Sequence, residues 1–327
     1  MGRLALLAVS GLCLYVFAPS IAEVFEAWDR LGEVHPAALI AVLGCEAASF
    51  LCMWILQRIA LRTDAWFSVV TTQLAGNAFN RITPGGGATG TALQVGMLSD
   101  AGFATTTAAS ALTVQSLLIT ATLVAMPVFA LPAIFAGTSV PGELADAAWI
   151  GLGVFVVMAA VGAVFLATRR PVQWLGDAVG RTVGLLRRGP APQALGAKLL
   201  SERDEIRATM GSRWLAALGA SIGRWGFEYF ALLVTLYAIG ARPDPWLVIF
   251  AFVAASVLTM VPFTPGGLGF VEAGLTGALA LAGVSAGQAV LATLVFRLVS
   301  FWLPLPVGAG AAVWFRRRYP RRRAASS

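Results

Sequence analysis

Twice in this chain the tetrapeptide Thr-Pro-Gly-Gly interrupts sequence that otherwise reads as apolar helix, at residues 83–86 and again at 264–267. Proline removes a backbone donor and glycine permits a tight reversal. In lipid every peptide group needs a partner within the protein, so non-helical backbone survives there only if buried or lining a watery cavity. Apolar runs at 4–21, 37–56, 105–126, 147–167, 214–239 and 286–314 read as full spans. Arg3, Arg58, Arg62, the basic segment from 169 to 213 and the closing "RRRYPRRR" belong inside, whereas the acidic loop 23–35 and the loop with Glu143 and Asp146 belong outside. Two stretches are left over, 66–104 and 246–285, and each must return to the side it started from. The sequence therefore predicts an all-α polytopic membrane protein, N-in/C-in, with about six full spans plus two re-entrant helical hairpins. Pro84, Gly85 and Gly86 form one hairpin tip and Pro265, Gly266 and Gly267 the other.

Composition supports this class. The chain is 58% hydrophobic and 12% charged, against about 25% charged residues in a soluble domain. Its net charge of +7 lies between and beyond apolar runs, which argues for membrane topology and against nucleic acid. Within 169–212, Val172, Leu175, Val179, Val183 and Leu186 recur at helical spacing among arginines, the pattern of an interfacial amphipathic helix. That segment and the basic tail 316–327 are expected to meet an anionic lipid surface. Cys13, Cys45 and Cys52 lie in apolar runs and His35 stands alone, so neither a disulfide framework nor a metal site is expected, and no cofactor. The sole lysine is Lys198 and no phosphate-binding loop motif occurs; any work the chain does is expected to draw on a gradient, a partner or mass action.

The two tetrapeptides belong to a longer match. A displacement of 181 residues carries Thr83 onto Thr264, Gly96 onto Gly277, Leu98 onto Leu279 and Ala101-Gly102 onto Ala282-Gly283. With small shifts, Asp64-x-Trp66 matches Asp244-x-Trp246. The expected organisation is one membrane domain, 1–327, with repeat one at about 37–126 and repeat two at about 213–314. Parity inverts one copy relative to the other, a recurrent transporter design with its site near the midplane.

Ionisable groups inside the membrane need a reason. Gln73, Asn77 and Asn80, with Arg81 nearby, lie on roughly one helical face and are expected to look into a protein-lined cavity. Arg81 suits either an anionic oxygen such as a phosphate or a buried carboxylate, Glu272 or Glu46. Glu272 and Arg297 form either a structural ion pair or a substrate-facing pair that opens. Arg224 and Glu228, four apart, read as a structural pair. Gln94 and Gln115 read as hydrogen-bonding links between helices, and Trp66, Trp246 and Trp314 as interfacial belt residues.

"NRITPGGGATGTALQVGML" and "PFTPGGLGFVEAGLTGALALAGVSAGQAVLATLVFRLVSFWLPL" resemble the lysylphosphatidylglycerol synthase transmembrane-region, or flippase-like, family. The resemblance implies movement of a phospholipid or polyprenyl-linked lipid between leaflets of the plasma membrane. It makes Arg81, Glu272 and Arg297 the leading substrate-binding residues, with Asn77, Asn80 and Gln73 beside them. Family members with an aminoacyl-transferase domain carry it after the membrane part; here the chain ends at Ser327, so lipid aminoacylation is not expected and the chain reads as a translocase, not an enzyme. The rival readings are a membrane scaffold without transport and an intramembrane lipid-phosphate enzyme. The sequence names no protein partner.

Overall fold

The computed structural model describes residues 36–83, 87–126, 213–259 and 265–320, with a few isolated positions between 128 and 160. The expected spans 4–21 and, but for isolated positions, 147–167, the loop 23–35, the segment 169–212, the first tip (Pro84, Gly85, Gly86) and tail residues 321–327 lie outside the described residues. The described elements are all helical. They are α1 (Pro36–Leu61), α2 (Trp66–Ile82), α3 (Gly87–Asp100), α4 (Thr105–Ala125), α5 (Trp214–Ala238), α6 (Pro245–Leu258), a 3-10 turn (Pro265–Gly267), α7 (Phe270–Leu281), α8 (Ala286–Arg297), a π-turn (Leu298–Trp302) and α9 (Pro304–Arg318).

Three of these described helices are long and apolar enough to cross a membrane: α1, α4 and the composite Ala286–Arg318. Helix α5 has the length, at 25 residues, but Arg224 and Glu228 in its middle lower its apolarity. Helices α2, α3, α6 and α7 have 17, 14, 14 and 12 residues, all short of the roughly 20 that a crossing requires.

Helix α1 packs along α5, and α9 packs along α2. The main core gathers Val42, Leu123, Trp225, Leu232, Leu236 and Phe252. Trp225 meets the Phe252 ring edge-on, centroids 6.0 Å apart, and its indole N–H donates to the Ile119 carbonyl at 2.8 Å. Buried hydroxyls tie helices together where lipid offers no hydrogen bonds: Ser49 donates to the Arg224 carbonyl at 3.0 Å, and Thr122 and Ser221 share a 2.6 Å bond. Large apolar side chains such as Ile40, Leu117 and Phe230 face outward, where lipid replaces water as the solvent. Trp66, Trp246 and Trp314 are exposed too, as an interfacial belt requires.

Two close approaches depend on glycine. A β-carbon on Gly308 would collide with the Leu74 carbonyl and the Ala78 methyl, so α9 and α2 touch backbone to backbone. One on Gly223 would lie 2.9 Å from the Cys52 sulfur, where α5 meets α1.

Limbs α3 and α7 end in the same device. Gly102 and Gly283 adopt φ of 98° and 85°, and the next N–H reaches back, Phe103 to the Leu98 carbonyl and Val284 to that of Leu279. This is the glycine-closed helix end in which an L side chain would be strained. These are positions that the 181-residue displacement superimposes.

Candidate functional site

Helices α1 to α8, the 3-10 turn and the π-turn line a cavity of about 480 Å³ with many polar side chains on its walls. Of the residues expected at the site, Gln73, Asn77, Asn80, Arg81 and Arg297 line it, as do Gly266 and Gly267. Glu272 is drawn in through Arg297. The placement follows from helical periodicity, since Gln73, Asn77 and Asn80 share one face of α2 while Ala75 and Ala78 on the other side are buried.

Arg81 sits at the last turn of α2 and is half-buried. Its guanidinium donates to the Ser300 carbonyl and lies 5.2 Å from the centre of the Phe301 ring. Among the described residues no carboxylate bonds to it directly, neither Glu272 nor Glu46. The acceptor it uses exists because of Pro304. Proline has no N–H to give the carbonyl four residues earlier, and its ring crowds that carbonyl; four residues before Pro304 is Ser300. The chain answers with a π-turn, Leu303 N–H bonding to the Leu298 carbonyl at 3.0 Å, and Ser300 turns its freed carbonyl to Arg81. The final span, Ala286–Arg318, is thus one helix, as the sequence reading has it, carrying a π-helical bulge at Leu298–Trp302 that the sequence reading did not place.

Arg297 closes α8. Its Nε donates to Glu272 Oε1 at 2.7 Å, its Nη2 to the Gly266 carbonyl at 3.3 Å, and its guanidinium stands 4.3 Å from the Phe301 ring centre. Phe301 therefore carries two guanidinium groups, within the range of cation–π attraction. Gly266, at φ 62°, must be glycine on two counts: the left-handed conformation, and space, for a β-carbon would lie 2.7 Å from the Arg81 carbonyl oxygen. The second tip is thereby seated against the end of α2, three residues before the first tip.

Asn80 works within the protein. Its Oδ1 accepts from Gly90 N–H at 2.7 Å, supplying an acceptor to the first turn of α3 in the manner of a helix cap. It pins α2 to α3.

Several further residues line the cavity beside those the sequence points to. Arg224 and Glu228 do pair, at 3.0 Å, but they also line the cavity, with Arg224 stacked 3.7 Å from the Trp225 ring centre. Gln94 and Gln115, expected to link helices, line it too. Neither finds a donor for its side-chain oxygen, and the same holds for Gln73 and Asn77. The sequence signal for α5 was its lowered apolarity at 224–228; for Ser300 it was Pro304. Glu46 is buried on α1, outside the lining. Among the described residues no three of His, Cys, Asp and Glu are grouped to hold a metal.

The chain is 30% identical over 95 residues to a UPF0104 membrane protein of Methanothermobacter thermautotrophicus (strain ATCC 29096 / DSM 1053 / JCM 10044 / NBRC 100330 / Delta H), covering 29% of this chain and 27% of the relative. A second UPF0104 membrane protein of that strain is 32% identical over 91 residues, covering 28% and 27%. The chain thus matches only about a quarter of the length of these relatives. The profile described as lysylphosphatidylglycerol synthase TM region matches residues 3–308, nearly the whole sequence, and the chain belongs to that family of integral membrane proteins.

Proposed function

We propose that this protein is a lipid translocase of the plasma membrane, moving the headgroup of a phospholipid or polyprenyl-linked lipid between leaflets while the tails stay in the bilayer. The observation that carries the reading is the set of three guanidinium groups around one polar cavity. Arg224 and Arg297 each hold a carboxylate, whereas among the described residues Arg81 bonds to a neutral backbone carbonyl and lies against the Phe301 ring. An arginine at membrane depth is costly, and its planar donor fork matches the oxygens of a phosphate. The headgroup would pass along Arg81, Asn77, Arg297 and Glu272.

The reading extends to mechanism. The two copies, 37–126 and 213–314, are inverted about the cavity, with N-in/C-in topology, and each contributes a re-entrant hairpin. The shortness of α2, α3, α6 and α7 supports re-entry. Rocking one copy against the other would open the cavity to each side in turn. No chemical step on the lipid is assigned.

The test is native mass spectrometry of the purified protein released gently from detergent. Wild type should retain one anionic lipid class, and Arg81→Gln should lose it while keeping its unfolding temperature within a few degrees. A folded variant that retains lipid as well as wild type would refute the site.

A further inference from the structure

Three guanidinium groups meet the cavity and two carboxylates answer them: Glu228 lies 3.0 Å from Arg224 and Glu272 lies 2.7 Å from Arg297. Among the described residues this leaves one positive charge over, that of Arg81. A third carboxylate has no arginine. Glu46 is 6% exposed and its Oε1 has no donor, although a buried carboxylate is as a rule paired or neutral. Donors on the neighbouring turns are committed elsewhere: Ser49 to the Arg224 carbonyl at 3.0 Å, Trp225 to the Ile119 carbonyl at 2.8 Å and Tyr229 to the Pro245 carbonyl at 2.6 Å.

The register of α1 against α5 fixes what Glu46 faces. Ser49 meets Arg224, and farther along α1 Leu56 and Ile59 cluster with Ala220 and Ala217 of α5, so the two helices run antiparallel. One turn back from Ser49 is Glu46, and one turn on from Arg224 is Glu228. The two carboxyl groups therefore stand at one level of the α1–α5 interface, with Glu228 on its cavity side. A displacement of 182 residues carries Gly44-x-Glu46 onto Gly226-x-Glu228, so each copy of the repeat supplies one of the pair. Of the elements that pack on α1, α5 brings Arg224, Glu228 and Tyr229 to this level, α2 brings Arg81, and α4 and the π-turn carry no titratable side chain. Cys45 adjoins Glu46 on α1 itself.

We propose that Glu46 is a proton-binding site and that its proton is taken up together with the anionic head in the cavity. This rests on the headgroup reading above. With Glu46 neutral, the surplus charge of the arginines is free to hold one anion. Once ionised, Glu46 adds a second negative charge at the level of Glu228, cancels that surplus and expels the anion, since like charges at one buried site oppose each other. Each head thus travels with one proton. The proton enters from cavity water through Glu228, whose carboxyl O–H breaks as that of Glu46 forms, and it leaves by the same route. No net charge crosses, and the pH difference between the two sides supplies the drive.

The experiment reconstitutes the full chain in phosphatidylcholine vesicles holding a trace of head-labelled phosphatidylglycerol, and an impermeant quencher reads the leaflet distribution of label under a gradient of about one pH unit. Wild type should enrich label about tenfold over protein-free vesicles in the leaflet facing the alkaline side, the factor that one coupled proton gives. Glu46→Gln, fixed in the neutral form, should equalise the leaflets. Glu46→Asp, which restores an ionisable group, should restore part of the enrichment. Infrared spectra at neutral pH should show a protonated carboxyl band in wild type that Glu46→Gln removes and Glu272→Gln does not; absence of that band overturns the proton site. Wild-type label that moves but stays evenly distributed overturns the coupling and leaves the headgroup reading standing. Enrichment that persists in Glu46→Gln does the same to Glu46 as the proton site. Label that moves no faster than in protein-free vesicles overturns both.

Discussion

Glu272→Gln isolates the energetics of the cavity. In the wild type, Arg297 and Glu272 are only 7% and 9% exposed and meet at 2.7 Å. Removing one partner of a buried pair costs about 3–5 kcal/mol, because the other charge is left uncompensated. Arg297 keeps two weaker contacts, the Gly266 carbonyl at 3.3 Å and the Phe301 ring at 4.3 Å, and the new amide still accepts one bond. These offset about 1 kcal/mol, leaving a loss of about 3 kcal/mol by that reckoning. At roughly 2 °C per kcal/mol for a chain of this size, the unfolding temperature in detergent should fall by about 6 °C. The double change Glu272→Leu with Arg297→Met removes both charges and should recover most of that loss, yet lose lipid retention. An unfolding temperature unchanged in Glu272→Gln, or a double variant as unstable as the single one, would show that the pair is not buried as described.

Other perturbations test other joints of the structure. Gly223→Cys should form a disulfide with Cys52 under mild oxidation, since the β-carbon at 223 lies 4.0 Å from that of Cys52, within the range such a bond spans; absence of the intramolecular link by mass spectrometry of peptides would contradict the α1–α5 packing. Gly266→Ala places a β-carbon 2.7 Å from the Arg81 carbonyl at φ 62°, and should cost about 2–3 kcal/mol from strain and overpacking, read as a fall in unfolding temperature. Asn80→Ala strips Gly90 N–H of its acceptor and should cost about 1–2 kcal/mol, with faster hydrogen exchange in the first turn of α3. Pro304→Ala gives position 304 an N–H that competes with Arg81 for the Ser300 carbonyl. Stability should hold or rise, because interior proline costs a helix about 3 kcal/mol, while lipid retention falls; unchanged retention would remove the π-turn from the account.

How much of this could be read from the sequence depended on range. The apolar runs, the breaks at Pro-Gly-Gly and the shared face of Gln73, Asn77 and Asn80 are local periodicities, and they sufficed for an all-helical membrane protein and one wall of the cavity. Glu272 with Arg297 was legible because two opposite charges in apolar helices need each other. The destination of Arg81 was not, because its acceptor is a backbone carbonyl 219 residues away, and backbone leaves no mark in a residue pattern. Pro304 was the available clue, read only as part of a family motif. Arg224 and Glu228 were recognised as a pair, but which way α5 turns them is set by packing against α1. Gln94 and Gln115 fell to the same uncertainty: an amide in an apolar helix can bridge helices or face a cavity, and only the crossing of α2 over α3 at Gly76 decides.

The most direct measurement is transbilayer movement itself. Purified protein would be reconstituted into vesicles containing a trace of head-labelled anionic lipid, and the fraction of label reached by an impermeant quencher followed over time, for wild type, Arg81→Gln and protein-free vesicles. The account predicts that wild type exposes inner-leaflet label well beyond the protein-free level and that Arg81→Gln, folded and incorporated equally, returns to it. Wild type indistinguishable from empty vesicles, or Arg81→Gln as active as wild type, would contradict the claim that a headgroup crosses through this cavity.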